Sequence, residues 1–203
     1  GNDTLDGLAG NDTIFAGTGT DTISGGAGDD DINLTIAAES GSDTVVFSGL
    51  TSSANGSDTI ATFQTDDKFD FSNLLTSGEI TNESSGTITI ASTTALATES
   101  TSIQIADERV YIAEVATTAT IDTETEIITA LTDTGLLDAL DFEANADSIL
   151  IVGGADDDTI QYIYGIDNNS TTAIIAGEVA LLGTVTSDIT NGIQGLSIDN
   201  FIF

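Results

Sequence analysis

A nine-residue period dominates the opening of this chain, GNDTLDGLAGNDTIFAGTGTDTISGGAGDDDIN. Asp3, Asp12, Asp21 and Asp30 recur at that interval, and so do Gly1, Gly10, Gly19 and Gly28 and the apolar Leu5, Ile14, Ile23 and Ile32. A unit this short cannot bury its own apolar residue, so it must stack on copies of itself. Glycine permits positive φ and close approach of backbone carbonyls, and aspartate supplies a hard anionic oxygen of the kind calcium prefers. One Gly-x-Asp stretch reads as an ordinary turn. Successive stretches in one register, with an apolar residue two places after each Asp, read as a ligand-bearing repeat.

Charge narrows the function classes. The 203 residues hold 34 acidic side chains against two basic ones, Lys68 and Arg109, for a formal net charge of −32. Such a chain repels nucleic acids and anionic lipid headgroups, attracts cations, and repels itself until that charge is neutralised. With 39% hydrophobic residues it can still bury a core, so the expectation is disorder without a cation and order with one. No run of roughly 18 apolar residues is present, which argues against direct membrane insertion. His and Cys are both absent, removing the usual general base, zinc ligand, thiol nucleophile and disulfide framework. A non-catalytic segment is expected.

The repeat follows G-G-x-G-x-D-x-U-x, with U a large apolar residue, and thereby resembles the RTX (repeats-in-toxin) calcium-binding family. The nearest copy to that pattern is Gly25-Gly26-Ala27-Gly28-Asp29-Asp30-Asp31-Ile32-Asn33; in earlier copies Leu8 replaces the second Gly and Ala16 the first. The chain opens at the fourth position of a repeat, so further repeats are expected upstream. The resemblance implies a parallel β-roll in which two nonapeptides make one coil, with calcium between coils. Ligands on one side then lie two repeats apart. Asp3 and Asp21 would share one site and Asp12 and Asp30 another, with carbonyls near Gly10, Gly17, Gly19, Gly26 and Gly28 completing the shells. Beyond Asn33 two continuations are open: Glu39 ligates the next ion, or the repeat resumes after an insertion at Gly41-Ser42-Asp43-Thr44-Val45, with Asp43 as ligand.

The fold class expected is mainly all-β: an amino-terminal parallel β-roll or β-solenoid over residues 1–33, a β-rich continuation and cap over 34–115, and a β-rich carboxy-terminal region over 116–203 with one short helix. Strands are expected at Asn33–Ala37, Thr44–Phe47, Thr59–Phe63, Phe69–Phe71, Gly86–Ala91, Ser102–Ala106 and Arg109–Val115, then at Ser148–Val152, Thr159–Tyr164, Ala173–Ala176, Val179–Val185 and Leu196–Phe203. Gly56–Ile60 and Thr65–Leu74 resemble the segment that caps the β-roll in RTX proteins. Ile127, Ile128, Leu131, Leu136, Leu137 and Leu140 predict an amphipathic helix within 124–141 that Gly135 divides. Two further acidic stretches, Gly153–Ile160 and Asp167–Glu178, read as turns and loops rather than metal sites.

The ending Ile198-Asp199-Asn200-Phe201-Ile202-Phe203 resembles the termini of proteins that type I secretion machinery exports, and reads equally as a closing strand. The family's calcium-triggered cleavage at Asp-Pro is not expected, because the chain has no Pro. The resemblance implies a secreted, extracellular or cell-surface protein whose one cofactor is calcium. The leading expectation is a self-assembling structural subunit of a surface layer, a homo-oligomer. The alternative is the secretion and folding module of a larger toxin, adhesin or hydrolase.

Overall fold

The computed structural model describes residues 1–34, 41–75, 90–92, 103–105, 109–115, 123–131, 140–142, 147–154, 160–168, 174–175, 177–187, 196 and 198–202. A recurring triplet, an Asp, a polar residue and an apolar residue, sets the start of each short strand. These are β1 (Thr4–Asp6), β2 (Thr13–Phe15), β3 (Thr22–Ser24) and β4 (Asp31–Asn33), and the pattern continues in β5 (Thr44–Val46), β6 (Asp58–Phe63) and β7 (Lys68–Asp70). The central apolar residue points inward and its neighbours point out, as the period of two along a strand requires.

Successive strands alternate between two sheets. β1, β3, β5 and β7 form one sheet in that order, all parallel, and the carboxy-terminal strand β15 (Phe201–Ile202) adds to its edge beside β7. β2, β4 and β6 open the second, also in parallel. The registers Leu5 with Ile23 and Ile14 with Ile32 place identical repeat positions over one another.

The second sheet then changes character. β14 (Val179–Ser187) pairs with β6 in parallel, β13 (Ile160–Asp167) and β12 (Asp147–Gly154) continue antiparallel, and β10 (Arg109–Val115) and β8 (Ile90–Ser92) return to parallel pairing. This eight-stranded sheet is therefore mixed. It draws strands from all three stretches of sequence that were expected to differ in character. β9 (Ile103–Ile105) and β11 (Leu140–Phe142) form a separate parallel pair. Where β6 meets β14 the register slips by one, leaving Thr62 in a bulge at φ 63°.

The helical expectation needs correction. The helix α2 runs only from Glu124 to Leu131, and Leu140 lies in a strand; Gly135, Leu136 and Leu137 lie outside the described residues. Its start is fixed by a reciprocal cap: the Glu126 backbone N–H donates to Thr123 Oγ1 at 3.3 Å, and that hydroxyl donates to Glu126 Oε2 at 2.8 Å. A second helix, α1 (Ser52–Asn55), has no counterpart in the sequence-based expectation. It is a single turn in the connection before β6, and its buried Asn55 accepts from the Ser48 N–H at 2.6 Å. Two strand expectations also change. Ile174 and Ile175 lie outside any strand, and Ile198–Asn200 is a 3-10 turn leading into β15. Of Asn33–Ala37, β4 keeps only Asn33 and Leu34 follows it outside any strand, while 35–37 lie outside the described residues.

Inward residues stack along each sheet. Ile23, Val45, Phe69 and Phe201 form one column, and Ile32, Ile60 and Val185 another; all are buried. Fully burying such a side chain stabilises by about 1.5–3 kcal/mol. Leu5 and Ile14, on strands with a neighbour on one side only, are half-buried. The column beside β7 ends in an aromatic cluster. Phe69 stacks on Phe63 at 4.2 Å between ring centres, and lies 6.2 Å from Phe47, 6.1 Å from Phe71 and 6.1 Å from Phe201. Phe69→Ala is therefore expected to lower unfolding free energy by about 3–5 kcal/mol, measured by urea denaturation in calcium. A loss below about 1 kcal/mol would show that this cluster is not the centre of the core.

Candidate metal centre

The Asp residues that open the coils are linked by one recurring hydrogen bond. The Asp3 N–H donates to Asp21 Oδ1 at 2.7 Å, the Asp21 N–H to Asp43 Oδ1 at 2.9 Å, and the Asp43 N–H to Asp67 Oδ1 at 2.9 Å. On the other side the Asp12 N–H donates to Asp30 Oδ1 at 2.8 Å, and the Asp30 N–H to Asp58 Oδ1 at 3.0 Å. The carboxylates thus form two ladders running across the coils, one at each turn. Asp3 is exposed and Asp12 half-buried, whereas Asp21, Asp30, Asp43, Asp58 and Asp67 are buried.

The turns between are set by glycine. Gly10, Gly17, Gly19, Gly26 and Gly28 all have positive φ, at 120°, 88°, 129°, 94° and 126°. Gly28 illustrates why no other residue suits: a Cβ there would overlap the Gly10 carbonyl oxygen one coil away. The same overlap would occur at Gly41 with Gly19 O and at Gly56 with Gly28 O, so carbonyl oxygens are packed against the next turn at each step. Leu8, where the repeat pattern has Gly, keeps the turn's conformation at φ 69° and projects its side chain into solvent.

One oxygen of each ladder carboxylate from Asp21 onward is engaged by a backbone N–H. The other is not always engaged: Asp21 Oδ2 and Asp30 Oδ2 are buried with no hydrogen-bond partner. A buried, unpartnered carboxylate oxygen is costly, and it is the donor a hard divalent cation takes. The residues thus fit calcium. Among the described residues no three His, Cys, Asp or Glu side chains converge on one point, so the donor set consists of carboxylates from adjacent coils and backbone carbonyls.

The structure brings Asp3 to Asp21 and Asp12 to Asp30, and it seats Asp43 against Asp21. The hydrogen-bonded ladder continues at Asp43, 22 residues after Asp21; Glu39 lies outside the described residues. Asp58 and Asp67 join the ladders although the nine-residue period does not predict them as ligands. Their local signal is the triplet itself, Asp58-Thr59-Ile60 and Asp67-Lys68-Phe69. Of the other acidic stretches, Asp167 and Glu178 close the β13–β14 connection through backbone pairing, the Asp167 N–H donating to Glu178 O at 2.8 Å. Asp156 to Asp158 lie outside the described residues.

Stacked carboxylates perturb one another's acidity. Burial pushes Asp58 up to about 7, with the negative charges of Asp30 and Asp29 adding to it. Burial likewise pushes Asp67 up to about 6, aided by Asp43 and Asp66, and raises Asp43 above the ordinary carboxylate range. A raised carboxylate pKa means that the folded state holds protons that the unfolded chain has released. That stability is fully present below the ordinary carboxylate range and is lost as pH rises through about 6 and then about 7. Calcium-free protein is accordingly expected to show a melting transition at acidic pH, where these carboxyls hold protons, and to lose it as pH rises through this window, leaving no transition at neutral pH. Saturating calcium should flatten the loss, since metal replaces the protons. A transition in chelator that persists or strengthens as pH rises would contradict this.

A family model, the RTX calcium-binding nonapeptide repeat, matches residues 1–32 in four copies. No curated protein and no solved structure matches the chain. The matched residues are those whose Asp and Gly line the first coils of both ladders. Residues 1–32 are thus similar to the calcium-binding nonapeptide repeats of RTX proteins, and repeats of this kind bind calcium.

Proposed function

We propose that this chain is a calcium-folded, non-catalytic structural module of a secreted protein, and that it serves as a subunit of a surface layer or a similar extracellular assembly. In this reading the alternating parallel strands form a β-roll stitched by calcium, and the aromatic cluster with β15 closes its far end. The observation that carries the reading is the pair of buried, unpartnered oxygens on Asp21 and Asp30 within stacked carboxylates.

The physical logic is a switch. Where calcium is scarce, stacked carboxylates repel and the roll is disfavoured, so the chain passes unfolded through type I secretion machinery. Outside, calcium lies near the affinity of extracellular sites, on the order of 10⁻⁴–10⁻³ M. An ion that binds only the folded roll adds about 2.7 kcal/mol at a hundredfold over its Kd. A few such ions rival the whole net stability of a domain, about 5–15 kcal/mol. The assembly role is supported by composition: at −32 with two basic residues, copies of this chain approach one another only through bridging cations.

A second reading, the secretion and folding module of a larger protein, draws support from the carboxy-terminal strand. Phe201 and Ile202 pair with Phe69 and Asp70, so the terminal segment becomes engaged only on folding and is free for an exporter before it. Light scattering on purified protein in calcium and in chelator separates the two. Calcium-dependent growth into large particles is expected for the structural subunit. A folded monomer in calcium would contradict assembly and favour the module.

A further inference from the structure

We propose that Asn55–Gly56 is a self-modification site that the folded coil holds closed: in an unfolded chain the Asn55 amide is converted to a carboxylate, and the converted chain no longer closes the coil between β5 and β6. That the site opens when calcium is withdrawn rests on the calcium-folded reading above.

The chemistry belongs to the pair. A glycine after asparagine leaves the intervening peptide nitrogen unshielded, so the Gly56 nitrogen can attack Asn55 Cγ. A bond forms from that nitrogen to Cγ, the side-chain nitrogen leaves as ammonia with the Gly56 amide proton, and a five-membered succinimide remains. Water then opens the ring. Attack at Cγ gives aspartate, and attack at the backbone carbonyl carbon gives isoaspartate, in which the chain runs on through the side chain. The sequence has one other Asn-Gly pair, Asn191-Gly192, which lies outside the described residues.

The fold engages the atoms that this reaction needs. Asn55 ends the turn α1, and the Gly56 N–H donates to Ser52 O at 2.7 Å. Asn55 Oδ1 accepts from the Ser48 N–H at 2.6 Å, and Asn55 Nδ2 donates to the Gly49 carbonyl. Asn55 is only 3% exposed, which keeps water from it. The attacking nitrogen is thus committed to the turn and the amide is pinned by two backbone groups. Reaching the succinimide requires these bonds to open, so the reaction runs through opened molecules.

The product does not fit the place of the amide. A carboxylate has no hydrogen to give the Gly49 carbonyl, and it puts a charge where a neutral group was buried. Isoaspartate also lengthens the backbone by one carbon immediately before Gly56. That residue has no slack: its φ is 74°, and a Cβ on it would overlap the Gly28 carbonyl. The next two residues are tied to the preceding coil as well. The Ser57 N–H donates to Asp29 Oδ1 at 3.0 Å, and Asp58 Oδ1 accepts from the Asp30 N–H at 3.0 Å. A change at residue 55 therefore reaches the carboxylate ladder, and time spent unfolded becomes an irreversible loss of folding competence.

The test incubates the full chain at neutral pH in saturating calcium, in chelator, and in chelator with urea. Mass spectrometry of the peptide holding Asn55–Gly56 follows exchange of amide for carboxylate. Conversion in urea is expected to run at least about tenfold faster than in calcium, since only opened molecules react, and conversion in chelator to match urea. Equal rates in urea and in calcium would overturn the site. Conversion in chelator as slow as in calcium, with urea fast, would leave the closed site standing and contradict the calcium-folded reading. The consequence is read on Asn55→Asp, which keeps the Oδ1 acceptor and removes the donor. It is expected to need a several-fold higher calcium concentration to gain half its β signal, or not to fold. A midpoint equal to the parent's would overturn the claim that the converted chain fails to close the coil.

Discussion

Everything in this molecule depends on the repulsion between aspartates stacked one coil above another. Folding brings Asp21, Asp43 and Asp67 into one column and Asp30 and Asp58 into another, removes them from water, and leaves two of their oxygens without a partner. The apolar columns beside them favour the folded state. The carboxylate columns oppose it until a cation enters. On the proposed reading a cation held at these turns would bear on both sheets at once, because each turn that presents carboxylates also connects a strand of one sheet to a strand of the other.

The aromatic end answers a different problem. A stack of short strands has an open last coil whose apolar interior and free strand edge would meet water. Phe47, Phe63, Phe69 and Phe71 fill that interior. β15 covers the β7 edge, and Asn200 closes the turn carbonyls beneath it. On the other sheet β14 covers β6, and antiparallel pairing then carries the sheet into β13 and β12. The mixed sheet follows from this change of role, because stacking identical units needs parallel strands, whereas ending the stack does not.

Much of the ladder is legible in the residues because a fixed period makes distant contacts local in pattern. Asp3 over Asp21 and Asp12 over Asp30 follow once two repeats are taken as one coil. The choice between Glu39 and Asp43 stays open in the sequence because an insertion breaks the period, and the chain resumes at the triplet Asp43-Thr44-Val45. Asp58 and Asp67 are hidden for the same reason, since coil lengths of 28 and 24 residues leave no spacing to count. Their triplets are visible, but one triplet alone is indistinguishable from a turn. Apolar spacing locates the helix α2 and overshoots its end, because Leu136, Leu137 and Leu140 continue a helical spacing past the point where Leu140 joins a strand. The pairing of Phe201 with Phe69 has no local signal at all, because parallel pairing between distant segments is fixed by the core and not by the residues between.

The most direct test of this account is far-UV circular dichroism of chelated protein at neutral pH while calcium is titrated in. A cooperative gain of β signal that chelator reverses is the predicted result, since the cation removes the repulsion that opposes the roll. A protein already fully folded in chelator, with a spectrum indifferent to calcium, would contradict the claim that stacked carboxylates hold folding in abeyance until the ion arrives.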